Sequence, residues 1–289
     1  MSPDVLLLVL ASAVVHATWN LWTKQLGAGV RSAPLLWLLT AISSLAYAPF
    51  ALGVYAAGDW RPDAGPLVLI AGSGLIHVGY FVLLLRGYRA GDLSLVYPLA
   101  RGTGPLLAAA GAVALLGERP TPLSVAGALL IALGVLVVAG RPLVAGARSA
   151  GPGVFYGLAT GVMIAVYTLW DGWSVKRAGN PPLVFYWAGE VVRVVALTPF
   201  VLGARGALAE LWRAHRLRLL GIALLSPLSY ILILLALRHG EVGHIAPARE
   251  VSILIGAWLG GRVLGEGDRR RRLAAAAAFA AGVAALALG

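Results

Sequence analysis

The chain repeats itself after about 150 residues, and both copies are written in apolar sequence. His16, Trp19, Asn20 and Trp22 return 151 positions later as Tyr167, Trp170, Asp171 and Trp173. Arg89, Asp92 and Pro98 return after 149 as Arg238, Glu241 and Pro247, and Leu116-Gly117-Glu118 returns after 148 as Leu264-Gly265-Glu266. A duplication in a membrane-spanning chain predicts two related bundles with a site where they meet.

Composition places both copies in a bilayer. Of 289 residues 60% are hydrophobic and only 12% charged, too little polar surface to coat a soluble globule. Ten apolar segments of roughly the length needed to cross the hydrocarbon occupy 5–21, 34–56, 67–85, 93–116, 123–139, 153–173, 183–202, 219–237, 242–264 and 273–288. The expected fold is an all-α integral membrane protein with ten transmembrane helices. Five fall in each half, residues 1–141 and 151–289, joined by a connector over 142–150. An odd number per half starts the second half on the opposite face, so the five-helix repeats are expected to be inverted.

The net charge of +11 points to no nucleic acid, because the cations sit in short loops and no basic domain lies outside the spans. Odd-numbered loops hold 15 Lys and Arg against 5 in the even-numbered loops. The positive-inside rule then puts both termini outside. The absence of Cys removes disulfides, thiolate metal sites and cysteine nucleophiles. No cleavable signal peptide is expected, since the first apolar run lacks a basic leading region and a small-residue cleavage site. Ser, His and Asp form no nucleophile motif and the His spacings match no metal site, so neither an enzyme nor a cofactor is expected.

The Gly117-Glu118 step after the fourth span and the polar break Gly91-Asp92-Leu93-Ser94 before it, within two five-span halves, resemble the EamA family of the drug/metabolite transporter superfamily. The resemblance covers essentially the whole chain. It implies a ten-helix inverted repeat, alternating access and a central cavity lined mainly by the first, third, fourth, sixth, eighth and ninth helices. Export of a small metabolite across a bacterial inner membrane follows as the expected activity, by a monomer or homodimer. Members with cytoplasmic termini are expected in such a family, and the loop charges here favour the opposite.

Candidate site residues are the polar groups placed where lipid disfavours them. His16, Trp19 and Asn20 share one helical face, as do Tyr167, Trp170 and Asp171. Arg101 lies about a third of the way into the fourth span near Tyr97, and at the matching depth of the ninth lie Arg249 and Glu250, Glu250 aligning with Arg101. An unpaired charge there costs about 2.5 to 3.5 kcal/mol, so each should find a partner or a ligand. His77, Tyr80 and Tyr230 are expected wall residues. Glu190 and Arg193, one turn apart, form a structural ion network.

The spans carry three Arg against three carboxylates, with Trp and Tyr walls, which suits a small zwitterion. Arg101 would hold a carboxylate and Glu250 or Asp171 an ammonium. Glu250, Asp171 and His16 are the candidates for coupling to protons. In the competing readings Arg101 and Glu250 merely pair with each other, and a greasy cavity exports drugs or amphipathic compounds.

Overall fold

The computed structural model describes residues 1–26, 32–90, 93–139, 151–263 and 269–289. Gly91, Asp92, the connector and Leu264-Gly265-Glu266 lie outside the described residues. So do the side chains of Arg262 and Arg269 to Arg272.

The helices are α1 (Pro3–Lys24), α2 (Ser32–Ala57), α3 (Ala64–Ala90), α4 (Leu93–Leu116), α5 (Pro122–Ala139), α6 (Gly151–Lys176), α7 (Pro182–Leu197), α8 (Arg205–His239), α9 (Val242–Ala248), α10 (Val251–Val263) and α11 (Arg269–Leu288). The described residues contain no strand. Among the described residues, seven helices are long and apolar enough to cross a membrane: α1, α2, α3, α4, α6, α7 with its following turn, and α8. Apolar stretches in α5 and α11, Pro122–Val137 and Leu273–Leu288, are shorter.

Local sequence explains the ends. Ser2 caps α1, its hydroxyl accepting from Val5 N, with Pro3 in the first turn where no amide partner is lost. α3 continues to Ala90, past the expected end at 85, because Arg86 and Arg89 follow as polar helical residues reaching for the interface. α7 stops at Leu197, short of 202, and yields to a 3-10 turn, Thr198–Phe200, that contains Pro199. α8 begins at Arg205, not 219, and a kink at His215 (φ −135°, ψ 16°) divides its basic leading segment from the apolar remainder.

The expected ninth segment is broken. α9 ends at Ala248 and α10 starts at Val251, leaving Arg249 and Glu250 in the turn between them. Pro247 loosens the ladder just before the break by removing one N–H, and across the break bonds of one shorter turn take over, Glu250 N to Pro247 O at 2.9 Å and Ile253 N to Glu250 O at 2.8 Å.

Packing pairs the halves in a regular way. α2 lies on α7, and α5 on α11. α1 packs on α8 as α3 does on α6; α4 packs on α6 as α10 does on α1. Close approach is made by glycine. A Cβ at Gly104 would meet Ile164 at 2.7 Å, one at Gly111 the Leu169 side chain, and one at Gly157 the Leu99 Cβ at 3.0 Å, so α4 and α6 touch nearly backbone to backbone. Gly127 and Gly282 face each other's carbonyls in the same manner between α5 and α11.

Both termini share one end of the bundle, the Met1 ammonium donating to Ala287 O at 3.1 Å. At that end Gly117 takes φ +71°, a left-handed conformation open to glycine, and turns Glu118 away from α4. Glu118 then accepts the amides of Val242 (2.8 Å) and Gly243 (2.9 Å), capping α9 from across the molecule.

Candidate functional site

The break in the ninth segment faces α4. Arg101 Nε lies 2.9 Å from Glu250 Oε2, and both residues are almost wholly buried, 5% and 2% exposed. The contact is an ion pair and lies outside hydrogen-bonding geometry, so Arg101 Nε and Nη2 have no hydrogen-bond acceptor among the described residues. A narrow cavity opens beside the pair. Arg101 and Pro105 of α4, Ile164 and Thr168 of α6, Ile233 of α8, Ile245 and Ala246 of α9, and Arg249 and Glu250 line it.

A second polar group begins one turn along α6 from Thr168. Asp171 is fully buried, accepts a hydrogen bond from the Tyr230 hydroxyl at 2.7 Å, and lies 4.0 Å from His77 Nε2. His77 Nδ1 is 2.9 Å from Ser73 O, which orients the ring. That ring stacks on Tyr167 at 4.5 Å and meets Tyr230 edge-on at 5.5 Å, and Tyr80 stands edge-on to Tyr167 at 5.6 Å. The Arg249 guanidinium sits over the other ring in this group, 5.1 Å from the Tyr230 centroid. Helices from both halves therefore supply one box of aromatic walls around Asp171.

Glu190 and Arg193 form an ion pair within α7. Tyr186 closes it, donating its hydroxyl to Glu190 Oε1 at 2.7 Å and offering its ring to Arg193 at 5.1 Å. Tyr186 and Tyr230 are 5.8 Å apart, so the network borders the aromatic box.

The first-span face packs on α8 and α10. His16 is buried and meets Trp19 edge-on at 4.9 Å, with its Nδ1 lacking a hydrogen-bond partner among the described residues. Trp19 donates to Ser229 Oγ at 3.3 Å and Asn20 to the His16 carbonyl at 2.7 Å. Trp170 turns toward α3, its indole donating to Leu69 O at 2.8 Å over Gly72, where a Cβ would strike the ring. Tyr97 stands one turn before Arg101 on α4 and is partly buried.

Sequence reasoning passed over Tyr186, Ser73, Thr168 and Ser229, and gave Glu118 no physical task. Tyr186 had a usable signal, its i, i+4 spacing to Glu190. The others act through contacts between distant helices that no local spacing announces.

Residues 5–140 match the model of the EamA-like transporter family. A solved structure described only as "Crystal structure of protein" is 21% identical and superposes with a TM-score of 0.76, covering 100% of this chain and 99% of that one. At that identity the likeness is one of fold. No curated protein matches the chain.

Proposed function

We propose that the chain, whose residues 5–140 match the EamA-like transporter family, is a secondary active exporter of a small zwitterionic or amphoteric metabolite, working by alternating access at the cavity between α4, α6, α8 and the broken α9–α10 segment. The membrane is a bacterial inner membrane, crossed ten times by two inverted five-helix repeats with both termini outside. Support for the repeat comes from the packing pattern, in which exchanging the halves exchanges the partners, and from the two termini meeting at one end. The function rests chiefly on one observation: charges of both signs, buried Arg101 and Glu250 and partly buried Arg249, line a cavity that is otherwise mostly apolar, and fully buried Asp171 with its tyrosine neighbours lies one turn along α6 from the lining residue Thr168. A rigid hydrophobic transporter would gain nothing from desolvating these groups.

The direct Arg101–Glu250 contact favours a second reading, an exporter of amphipathic compounds in which charge is scaffolding. A thermal-shift screen of the purified protein separates the two. Stabilisation by amino acids exceeding that by matched amines or carboxylates supports the first reading, since a ligand of the folded state raises apparent stability by mass action. Stabilisation by hydrophobic cations alone establishes the second.

A further inference from the structure

The charges inside the helices do not all pair with an opposite charge. Arg101 has Glu250 and Arg193 has Glu190, which leaves Arg249 and Asp171, the latter with only the His77 ring at 4.0 Å besides its tyrosine. These two are opposite in sign and are held apart by one side chain: Tyr230 carries the Arg249 guanidinium on its ring face and donates its hydroxyl to Asp171. Neither contact neutralises a charge. A ring face attracts a cation through its quadrupole and a phenol hydrogen bond leaves the carboxylate ionic.

We propose that Arg249 binds the carboxylate of the transported zwitterion and Asp171 its ammonium, and that Arg101 and Glu250 form the strut that holds the break of the ninth segment against α4. This assignment rests on the zwitterion reading of the cavity and sharpens it. Three observations support it beyond charge. Arg249 lines the cavity, is only partly buried, and its Nε has no hydrogen-bond partner among the described residues. Asp171 is fully buried and its Oδ1 is likewise without a hydrogen-bond partner among them. The strut residues have spent their opposite charges on each other at 2.9 Å, and a ligand group would have to separate them first.

The spacing selects a size. Arg249 and Asp171 are separated by the width and hydroxyl of a single tyrosine, so a compact amino acid spans them and a peptide does not. Neither Asp171 nor Tyr230 lines the cavity, and the Tyr230 hydroxyl occupies Asp171 Oδ2 at 2.7 Å. An arriving ammonium therefore takes the place of the Tyr230 hydroxyl on Asp171, and the ring that moves is the one Arg249 rests on. Occupation of one end is thereby felt at the other, which ties recognition of both charges to one conformational step.

The test uses the purified full chain and a fixed panel: the twenty amino acids, β-alanine, γ-aminobutyrate, propionate and ethylamine, with binding read by thermal shift and calorimetry. The wild type is expected to bind at least one amino acid more than tenfold tighter than propionate or ethylamine. Arg249→Gln should erase that preference over ethylamine, and Asp171→Asn the preference over propionate, each by at least tenfold. The Arg101→Glu, Glu250→Arg double variant should recover most of the binding lost in Arg101→Glu alone or Glu250→Arg alone. Failure of the wild type to bind any amphoteric probe defeats the zwitterion reading itself. Amino-acid binding in the wild type that survives both Arg249→Gln and Asp171→Asn, in protein that elutes as a single folded peak, leaves that reading standing and overturns the assignment. So does a folded double variant that recovers no binding.

Discussion

α4 and the α9–α10 segment start alike and end differently. Each carries a proline at its sixth residue, Pro98 and Pro247, and a charge three residues later, Arg101 and Glu250, yet α4 runs unbroken from Leu93 to Leu116 and its counterpart stops at Ala248. Proline permits a break by removing one amide from the ladder; it does not compel one. What differs is the neighbour. α4 is pressed along α6 through Gly104, Gly111, Gly157 and Gly161, so leaving helical geometry would open that contact, whereas a Cβ at Gly256 on α10 would meet nothing within 4 Å. Tight packing along its length preserves the first helix, whereas the second is buried up to the break and only α10 beyond it is more open, which lets the segment spend its broken turn on Arg249 and Glu250.

The largest effect should follow from cutting the tie between them. Arg101→Ala or Glu250→Ala leaves a buried charge without its partner, a loss of about 3–5 kcal/mol. Denaturant unfolding in detergent would measure it. The charge-reversed double variant should regain at least half of that loss. Equal destabilisation in the double and single variants would show that the strut does not join the two segments.

The packing contrast predicts opposite signs for one substitution. Gly104→Ala drives a methyl into Ile164 at 2.7 Å and toward Gly161 O at 3.2 Å, an overpacking cost of about 1–3 kcal/mol. Gly256→Ala enters open space and replaces a helical glycine, a gain of roughly 0.5–1 kcal/mol. Melting temperatures of the two variants should move apart. If they move together, looser packing is not what permits the break.

How much of this was legible depends on whether a feature repeats. The helices could be placed because each needs a long apolar run, and the misplacements fall where helix continues in polar sequence, as with the basic start of α8 at Arg205. Arg101 and Glu250 were found because the duplication aligns them, and their meeting in the structure is what a two-fold arrangement of halves would give. The Arg249–Tyr230–Asp171 line was not legible as a line. Its members sit on three elements with no counterpart trio in the first half, so only packing brings them together. Trp170 shows the same limit from the other side: its spacing put it on the face of Tyr167 and Asp171, and its indole is spent on Leu69 O instead.

The smallest effect concerns how the broken segment is anchored. A helix as short as α9 cannot hold itself, having too few ladder bonds to offset the ordering of its first turn. Its start is held by the two Glu118 oxygens on Val242 N and Gly243 N, with Ser124 Oγ 2.8 Å from Nε2 of the next residue, His244. Glu118→Ala removes both acceptors and should cost roughly 0.5–2 kcal/mol, the range for loss of a helix cap. Glu118→Gln keeps one acceptor and gives up the charge, so it should fall between alanine and wild type. The informative readout is amide hydrogen exchange over residues 242–248. If the break is tolerated because this end is pinned, exchange there should quicken in Glu118→Ala while α4, held by its glycine contacts with α6, keeps its protection. Equal loss of protection in both segments would mean that they unfold as one unit, and that the contrast between a packed helix and a pinned one is not what keeps α4 whole.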